Sequence, residues 1–329
     1  MKILIIRFSS IGDIVLTTPV VRCLKTQLPD VELHYLTKAS YKSLLAHNPY
    51  IDKLHLFTER KMPVTIQALK AENFDMVIDL HRNQRTWWVK RRLGVENYVV
   101  NKINLEKMLM VRLKRNALPD VHIVDRYMET VKHLDIQNDG KGLDHFIGAA
   151  DEVLINGYFP NVGTNPYVAF SMGGQHFTKR LPNHKIIQIC RKLKMPVILL
   201  GGKEDESNGK AIVKALKRAN VVNACGQFSI NQSASIVQQA TWVITHDTGL
   251  MHIAAAFDKK IIAIWGNTIP EFGMYPYPKN KKSFHKNIEV KGLDCRPCSK
   301  IGHDKCPQKH FKCMEDIVVS EVVKWVKEI

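Results

Sequence analysis

The stretch Trp242-Val243-Ile244-Thr245-His246-Asp247-Thr248-Gly249-Leu250-Met251-His252 decides the fold. Trp242 to Thr245 are apolar or β-branched and read as a short buried strand, after which Asp247, Thr248 and Gly249 open a helix. A strand that runs through a Gly- or Thr-containing loop into a helix is half of a βαβ unit. The same passage recurs in this half of the chain. Tyr167 to Phe170 lead into Ser171-Met172-Gly173-Gly174, Pro196 to Leu200 into Gly201-Gly202-Lys203-Glu204, and Ile261 to Trp265 into Gly266-Asn267-Thr268. In an open parallel sheet such loops gather at the carboxyl edge, where ligands bind.

The first half alternates in the same way. Lys2 to Ile6 form a buried-strand pattern that passes through Ser9-Ser10-Ile11-Gly12-Asp13 into a helical run from Ile14 to Gln27, with Pro19 in its first turns or at a kink. Val31 to Leu36 and Met76 to Leu80 are further strands. Asn156–Pro166, with Gly157, Pro160, Gly163 and Pro166, is the expected linker, which gives domains 1–160 and 161–329. Val318, Val319, Val322, Val323, Val326 and Ile329 predict an amphipathic terminal helix over Glu315–Ile329, available to pack back on the first domain.

Composition narrows the partners. The 329 residues suffice for two domains, and 45% hydrophobic with 24% charged residues indicates a globular chain. The net charge of +17, from 48 Lys+Arg against 31 Asp+Glu, favours an acidic partner: nucleic acid, an anionic membrane surface or a phosphorylated substrate. Residues 85–115 hold nine Lys/Arg around Trp87 and Trp88, read either as a solvated helix face with two core tryptophans or as a surface for an anionic lipid or sugar phosphate. The N-terminal apolar run is too short for a signal peptide, and no stretch of about 18 apolar residues is present. With seven cysteines, an odd number, a reducing cytoplasm is expected.

At Asp247–His252 the free N–H groups of a helix N-terminus can hold a phosphate; Gly249 lets a ligand approach, Thr248 adds a hydroxyl, and His252 lies one turn further on. The plainer alternative is that Asp247 caps the helix and His252 packs. Taken alone, Asp13 reads as a helix cap after a Gly turn, and Lys179 as a surface lysine.

In their order along residues 1–270, the motifs resemble glycosyltransferase family 9, the ADP-heptose:lipopolysaccharide heptosyltransferases. T-H-D-T-G-L-M-H-I-A-A-A resembles the donor-site signature, I-R-F-S-S-I-G-D-I-V-L-T-T-P the N-terminal loop, and F-T-K-R-L-P a K-x-W-P-type motif with Leu181 in the Trp position. L-L-G-G-K-E-D-E and I-W-G-N-T-I-P resemble two further donor loops. The resemblance implies an α/β GT-B fold, two Rossmann-like domains with parallel sheets facing across a cleft. It also implies inverting transfer from ADP-heptose, or a similar sugar nucleotide, to a lipid-anchored glycan of the lipopolysaccharide core. The enzyme would be cytoplasmic and peripheral on the inner face of the inner membrane.

Site roles follow from the same resemblance. Asp13 matches the general base and Lys179 the cation that steadies the leaving diphosphate. Donor contacts are expected from Ser171, Gly173, Gly174, Lys179, Gly201, Gly202, Glu204 (ribose), Asp247 (heptose), Thr248, Gly249, His252 and Gly266, and acceptor contacts from Ser10, Gly12, Arg82 and Arg85. No D-x-D motif is present, and no catalytic metal or other cofactor is expected.

Cys295, Cys298, Cys306 and Cys313 follow C-x2-C-x7-C-x6-C and are candidates for a structural zinc, with free thiols the alternative. Two other functions compete. A glycosyltransferase of this fold with a different sugar nucleotide and surface-glycan acceptor keeps the site. A zinc-containing nucleic-acid-binding protein would use the basic charge and the cysteines, but the chain has neither an RRM-like signature nor a basic reader helix, so no nucleic acid is expected. A nicotinamide-dependent Rossmann enzyme lacks its G-x-G-x-x-G loop.

Overall fold

The computed structural model describes residues 1–326. The chain packs as two compact units, Met1–Lys102 with Val121–Phe146, and Ile103–Asp120 with Ile147–Ile329. Where the sequence reading divides the chain at residue 160, the packing counts residues 147–160 with the second unit. The reason is local: the Val153 N–H donates to Ser235 Oγ at 3.0 Å, and Tyr158 and Phe159 pack on Phe228 with ring centroids 5.3 and 5.8 Å away.

The first unit is a five-stranded sheet of β1 (Lys2–Ile6), β2 (Glu32–Lys38), β3 (Lys53–Phe57), β4 (Met76–Asp79) and β5 (Glu96–Val99). Its order is β3-β2-β1-β4-β5, with every pairing parallel. β1 is central, and its uninterrupted Ile3-Leu4-Ile5-Ile6 is fully buried, as a strand covered on both faces must be. The expected helix from Ile14 to Gln27 is two helices, Ile11–Val15 and Thr18–Gln27. Pro19 supplies no N–H, so it fits the first turn of the second helix and not the middle of one long helix.

The second unit is a six-stranded sheet of β6 (Val168–Ser171), β7 (Val197–Leu200), β8 (Val221–Asn223), β9 (Trp242–His246), β10 (Lys260–Trp265) and β11 (His285–Glu289). Its order is β11-β10-β9-β6-β7-β8, again all parallel. Both units are therefore doubly wound, and the strand order reverses between β1 and β4 and between β6 and β9. Among the described residues no helix is long and apolar enough to cross a membrane.

The terminal amphipathic run is not one helix. Lys312–Glu315 and Val319–Val323 are separate short helices, Val318 is exposed between them, and Ile329 lies outside the described residues. Val322 is buried in the core of the second unit, with Val319, Val323 and Val326 packed against it, so this segment serves its own unit's core. Trp87 and Trp88 are 49% and 40% exposed and are not core residues. They meet edge to face at 4.9 Å, with the guanidiniums of Arg91 and Arg92 over their rings at 5.5 and 5.8 Å.

Candidate active site

At the carboxyl end of β1 the chain turns through Ser9 and Ser10 into the helix Ile11–Val15, with Asp13 in its first turn. Both carboxylate oxygens of Asp13 are held. Oδ1 lies 2.7 Å from Arg7 Nη2, and Oδ2 accepts from Ser10 Oγ at 2.8 Å and from the Ser10 N–H at 3.3 Å. Arg7 is buried and spends its other donors on Ser9 O (2.7 Å), Leu80 O (2.6 Å) and Tyr127 OH (3.0 Å). Burial opposes its charge, yet Asp13, Tyr127 and Tyr35 outweigh that and raise its pKa. Leu80 follows β4, so Arg7 ties the loop after β1 to the loop after β4, the two loops at the point where the strand order reverses.

Gly12 is buried in the first helical turn, while Ser10 acts through Asp13. The loop after β4 forms one side of a cavity of about 490 Å³ lined by Asp79, Arg82, Asn83, Gln84, Trp87, Lys90, Val99 and Asn101. Asp79 accepts from the N–H groups of His81 (3.0 Å) and Arg82 (2.7 Å) and pairs with Lys90 at 3.0 Å. Arg82 reaches Val100 O at 3.2 Å. Arg85 is exposed on the first turn of the helix Gln84–Leu93, outside the set that lines the cavity. Beside them His81 is held neutral: burial first, then the charges of Arg7 and Lys102, push its pKa down to about 3.

In the second unit, five strand ends are cross-linked at the carboxyl edge of the sheet. Lys179 Nζ lies 2.7 Å from Asp247 Oδ2, which also accepts from Thr268 Oγ1 at 2.9 Å. Arg180 donates to Gly174 O at 2.6 Å and pairs with Asp205 at 3.3 Å, and Asp205 accepts from the Gly202 N–H at 2.9 Å. Gly201 accepts from the Gly226 N–H at 3.0 Å. A Cβ on Gly173 would run into the Asp205 carboxylate, and one on Gly266 would stand 2.5 Å from Thr178 O. Glycine at these two positions follows from that crowding.

The buried His246 ring is a second pin. Its Nε2 accepts from the Leu181 N–H at 3.1 Å, which leaves Nδ1–H to donate to Gly173 O at 3.3 Å. Burial, ahead of the charge of Arg180, pushes its pKa down to about 4, so the ring is neutral at pH 7 and keeps both roles.

Thr248 caps the helix Gly249–Ala256 in extended conformation, and its hydroxyl lies 3.3 Å from Thr245 Oγ1. Gly249 opens the helix; His252 is buried one turn in. Ser171 ends β6 and is buried; Glu204 is exposed in the turn Lys203–Asp205. The structure thus joins Gly173, Gly174, Lys179, Gly202, Asp247 and Gly266 through shared partners, while Ser10, Gly12, Asp13, Arg82 and Arg85 belong to the other unit.

Sequence reasoning missed Arg7, Arg180, Asp205, His246 and Thr268, all of them neighbours of residues it named. It also missed Asn267, 1% exposed, whose side-chain amide has no hydrogen-bond partner on either atom among the described residues. Leu181, in the Trp position of the K-x-W-P-type motif, is buried in the core cluster of the second unit.

The cysteine segment braces this edge. Thr178 and His303 exchange hydrogen bonds (Thr178 N–H to His303 O at 3.1 Å, His303 N–H to Thr178 Oγ1 at 2.8 Å), and Phe177 stacks on Phe311 at 4.9 Å. The four cysteines lie near one another: after burial, the larger cause in both cases, Cys295 and Cys306 raise the pKa of Cys298, and Cys298, Cys306 and Cys295 raise that of Cys313. Among the described residues the trio of metal-ligating atoms within 4.8 Å of one another is His34, His55 and Glu72, and the cysteine sulfurs form none. Cys295 Sγ faces His310 Nε2 at 3.8 Å, and Cys313 is buried in the core, its pKa pushed up to about 12 by burial first.

The chain is similar to known proteins in sequence and in fold. The profile of Glycosyltransferase family 9 (heptosyltransferase) matches residues 64–303. Lipopolysaccharide heptosyltransferase 1 of Campylobacter coli is 24% identical, covering 100% of this chain and 99% of that protein. The crystal structure of a family 9 glycosyl transferase from Veillonella parvula superposes with a TM-score of 0.78 at 20% identity, over 98% of this chain and 95% of that one. The E. coli ADP-heptose lps heptosyltransferase II structure gives 0.69 at 19% identity, over 98% and 99%. The two parallel-sheet units are the GT-B fold of these enzymes.

Proposed function

Because the chain belongs to glycosyltransferase family 9, the heptosyltransferases, we propose that it moves a heptose from ADP-heptose to a lipopolysaccharide-core acceptor, with inversion and without a metal or other cofactor. The E. coli relative's donor, ADP-heptose, supplies the expected nucleotide sugar. The observation that carries this reading is the polar edge of the second unit. There Lys179, Asp247 and Thr268 are locked together beside the Thr248-capped helix, whose free N–H groups suit a diphosphate.

In the proposed reaction an acceptor hydroxyl attacks the anomeric carbon from the face opposite the diphosphate. The hydroxyl proton passes to Asp13 as the new glycosidic bond forms. Arg7 and Ser10 keep that carboxylate in one orientation, which removes the cost of ordering it during attack. The bond between the anomeric carbon and the diphosphate breaks, its electron pair leaves with ADP, and Lys179 and the helix N–H groups stabilise the growing negative charge. Thr248, Gly249 and His252 lie along the diphosphate; Glu204 takes the ribose and Asp247 the heptose. Ser171, Gly173, Gly174, Gly201, Gly202 and Gly266 let the nucleotide approach the backbone. On the acceptor side Ser10, Gly12, Arg82 and Arg85 meet the glycan, with Arg82 lining a cavity suited to an anionic sugar.

The proposed workplace is the cytoplasmic face of the inner membrane. Trp87 and Trp88, each under an arginine, support that reading, as do the exposed Leu105, Met108 and Leu113 on the helix Asn104–Leu113. Each basic residue near an anionic leaflet contributes about 1 kcal/mol. A thermal-shift series with ADP, UDP, GDP and ADP-heptose tests the donor assignment. A ligand at about 100 times its Kd stabilises by about 2.7 kcal/mol. Selective stabilisation by ADP and ADP-heptose is expected, and an equal or larger response to UDP or GDP would move the assignment to another sugar nucleotide.

A further inference from the structure

Three donor atoms converge on the first sheet, from His34, the third residue of β2, His55, the third of β3, and Glu72, which follows the helix Met62–Ala71. His34 pairs in register with Lys53, so His34 on β2 and His55 on β3 share one face of the sheet as diagonal neighbours. Their nearest nitrogens, His34 Nδ1 and His55 Nε2, are 2.9 Å apart. Glu72, at the C-cap of the helix Met62–Ala71, brings one carboxylate oxygen to 3.9 Å from His34 Nδ1 and the other to 4.0 Å from His55 Nε2. Two ligands about 2.0–2.1 Å from a tetrahedral zinc stand about 3.4 Å apart, a value that these three separations bracket.

The surroundings are those of a prepared ligand set. His34 is fully buried, and its Nε2 lies 2.7 Å from Glu32 Oε1, so Nε2–H donates to that carboxylate and Nδ1 presents its lone pair to the trio. A histidine whose far N–H is fixed by a carboxylate is the usual supporting arrangement behind a metal-bound imidazole. Phe74 closes one side, edge-on to His34 at 5.1 Å and to His55 at 6.1 Å. Glu72 also places a negative charge at the negative end of a helix, an unfavourable position that a nearby cation corrects. At present Lys53 Nζ does so at 2.5 Å, with Lys2 Nζ at 3.7 Å. The Lys53 side chain is 55% exposed and can leave for solvent.

We propose that His34, His55 and Glu72 form a binding site for a divalent cation of the zinc class, with Glu32 orienting His34, and that the ion ties β2 and β3 to the end of the helix Met62–Ala71. Binding needs no net proton release from the imidazoles. His55 moves its proton from Nε2 to Nδ1, and the Lys53 ammonium is displaced from Glu72.

The test is Co²⁺ titration of the full chelator-stripped chain, read by visible absorption, with zinc competition and melting temperature alongside. Wild type is expected to give ligand-field bands that zinc abolishes, and to melt higher with zinc. His55→Gln should lose both responses while keeping the metal-free melting temperature. Glu32→Gln, an exposed substitution, should weaken binding about 10-fold or more. Any thiolate-to-cobalt charge-transfer band in the near ultraviolet belongs to the cysteines and should survive His55→Gln. The proposal is overturned if wild type gives no ligand-field band, if His55→Gln leaves that band unchanged, or if replacing Cys295, Cys298 and Cys306 by Ser removes it.

Discussion

Lowering the pH should loosen the donor edge through one residue, His246. Its ordinary pKa of 6.5 falls to about 4 in the folded chain because the ring is fully buried. The unfolded chain therefore binds a proton between about pH 6.5 and 4 that the folded chain refuses. The stabilisation is complete above the unfolded value and is lost as the pH falls toward the folded one. At about 1.4 kcal/mol per pH unit, this difference amounts to about 3 kcal/mol lost by pH 4. Protonation also removes the lone pair that accepts the Leu181 N–H, so the link between β9 and the turn carrying Lys179 fails first. The assay is urea unfolding of wild type and His246→Gln at pH 7, 5.5 and 4; glutamine can donate and accept but does not titrate. His55 and His81, whose pKa values are also pushed down by burial, are common to both proteins and cancel in the comparison. Wild type should lose about 3 kcal/mol more than the variant across this range. Parallel losses in the two proteins would refute the claim that His246 is kept neutral by its burial.

Three substitutions probe the rest of the machinery. Asp13→Asn should leave ADP affinity intact and cut turnover by about 10²–10⁴, measured as ADP release with acceptor present; near-normal turnover would remove Asp13 as the base. Lys179→Met should lower kcat by about 100-fold by withdrawing the charge beside the leaving group, and an unchanged kcat would end that role. Gly266→Ala puts a Cβ 2.5 Å from Thr178 O and 2.7 Å from Met314 Cε. It should cost about 1–3 kcal/mol of stability, and a denaturation midpoint equal to that of wild type would show that the turn yields freely.

The central strands were legible because they are nearly continuous apolar runs: Ile3 to Ile6, Val197 to Leu200 and Ile261 to Trp265 all lie where expected. The outer strands were not. β3 interleaves Lys53 and His55 with its leucines, β5 begins Glu96-Asn97, and β11 reads His285-Lys286-Asn287. An edge strand is covered less and keeps polar residues, so its pattern resembles a loop. The donor loops were legible from glycine and threonine placed after strands. Partnerships between those loops were not, because spacing along the chain does not reveal that His246 reaches Leu181 or that Arg7 reaches Leu80. The cysteine spacing was a visible metal signal, but two histidines that approach one another from neighbouring strands, 21 positions apart, leave no such signal in the sequence.

The division of the chain carries a consequence for anyone wishing to isolate a lobe. The polypeptide changes unit after residues 102, 120 and 146, so three covalent threads join the two bodies. A cut near residue 160 would strand the helix Asn104–Leu113 on the wrong fragment and deprive the second body of a piece of its own packing. Clean separation calls for excising 103–120 and closing the gap with a short bridge, and the donor body would then have to receive that helix as a grafted peptide.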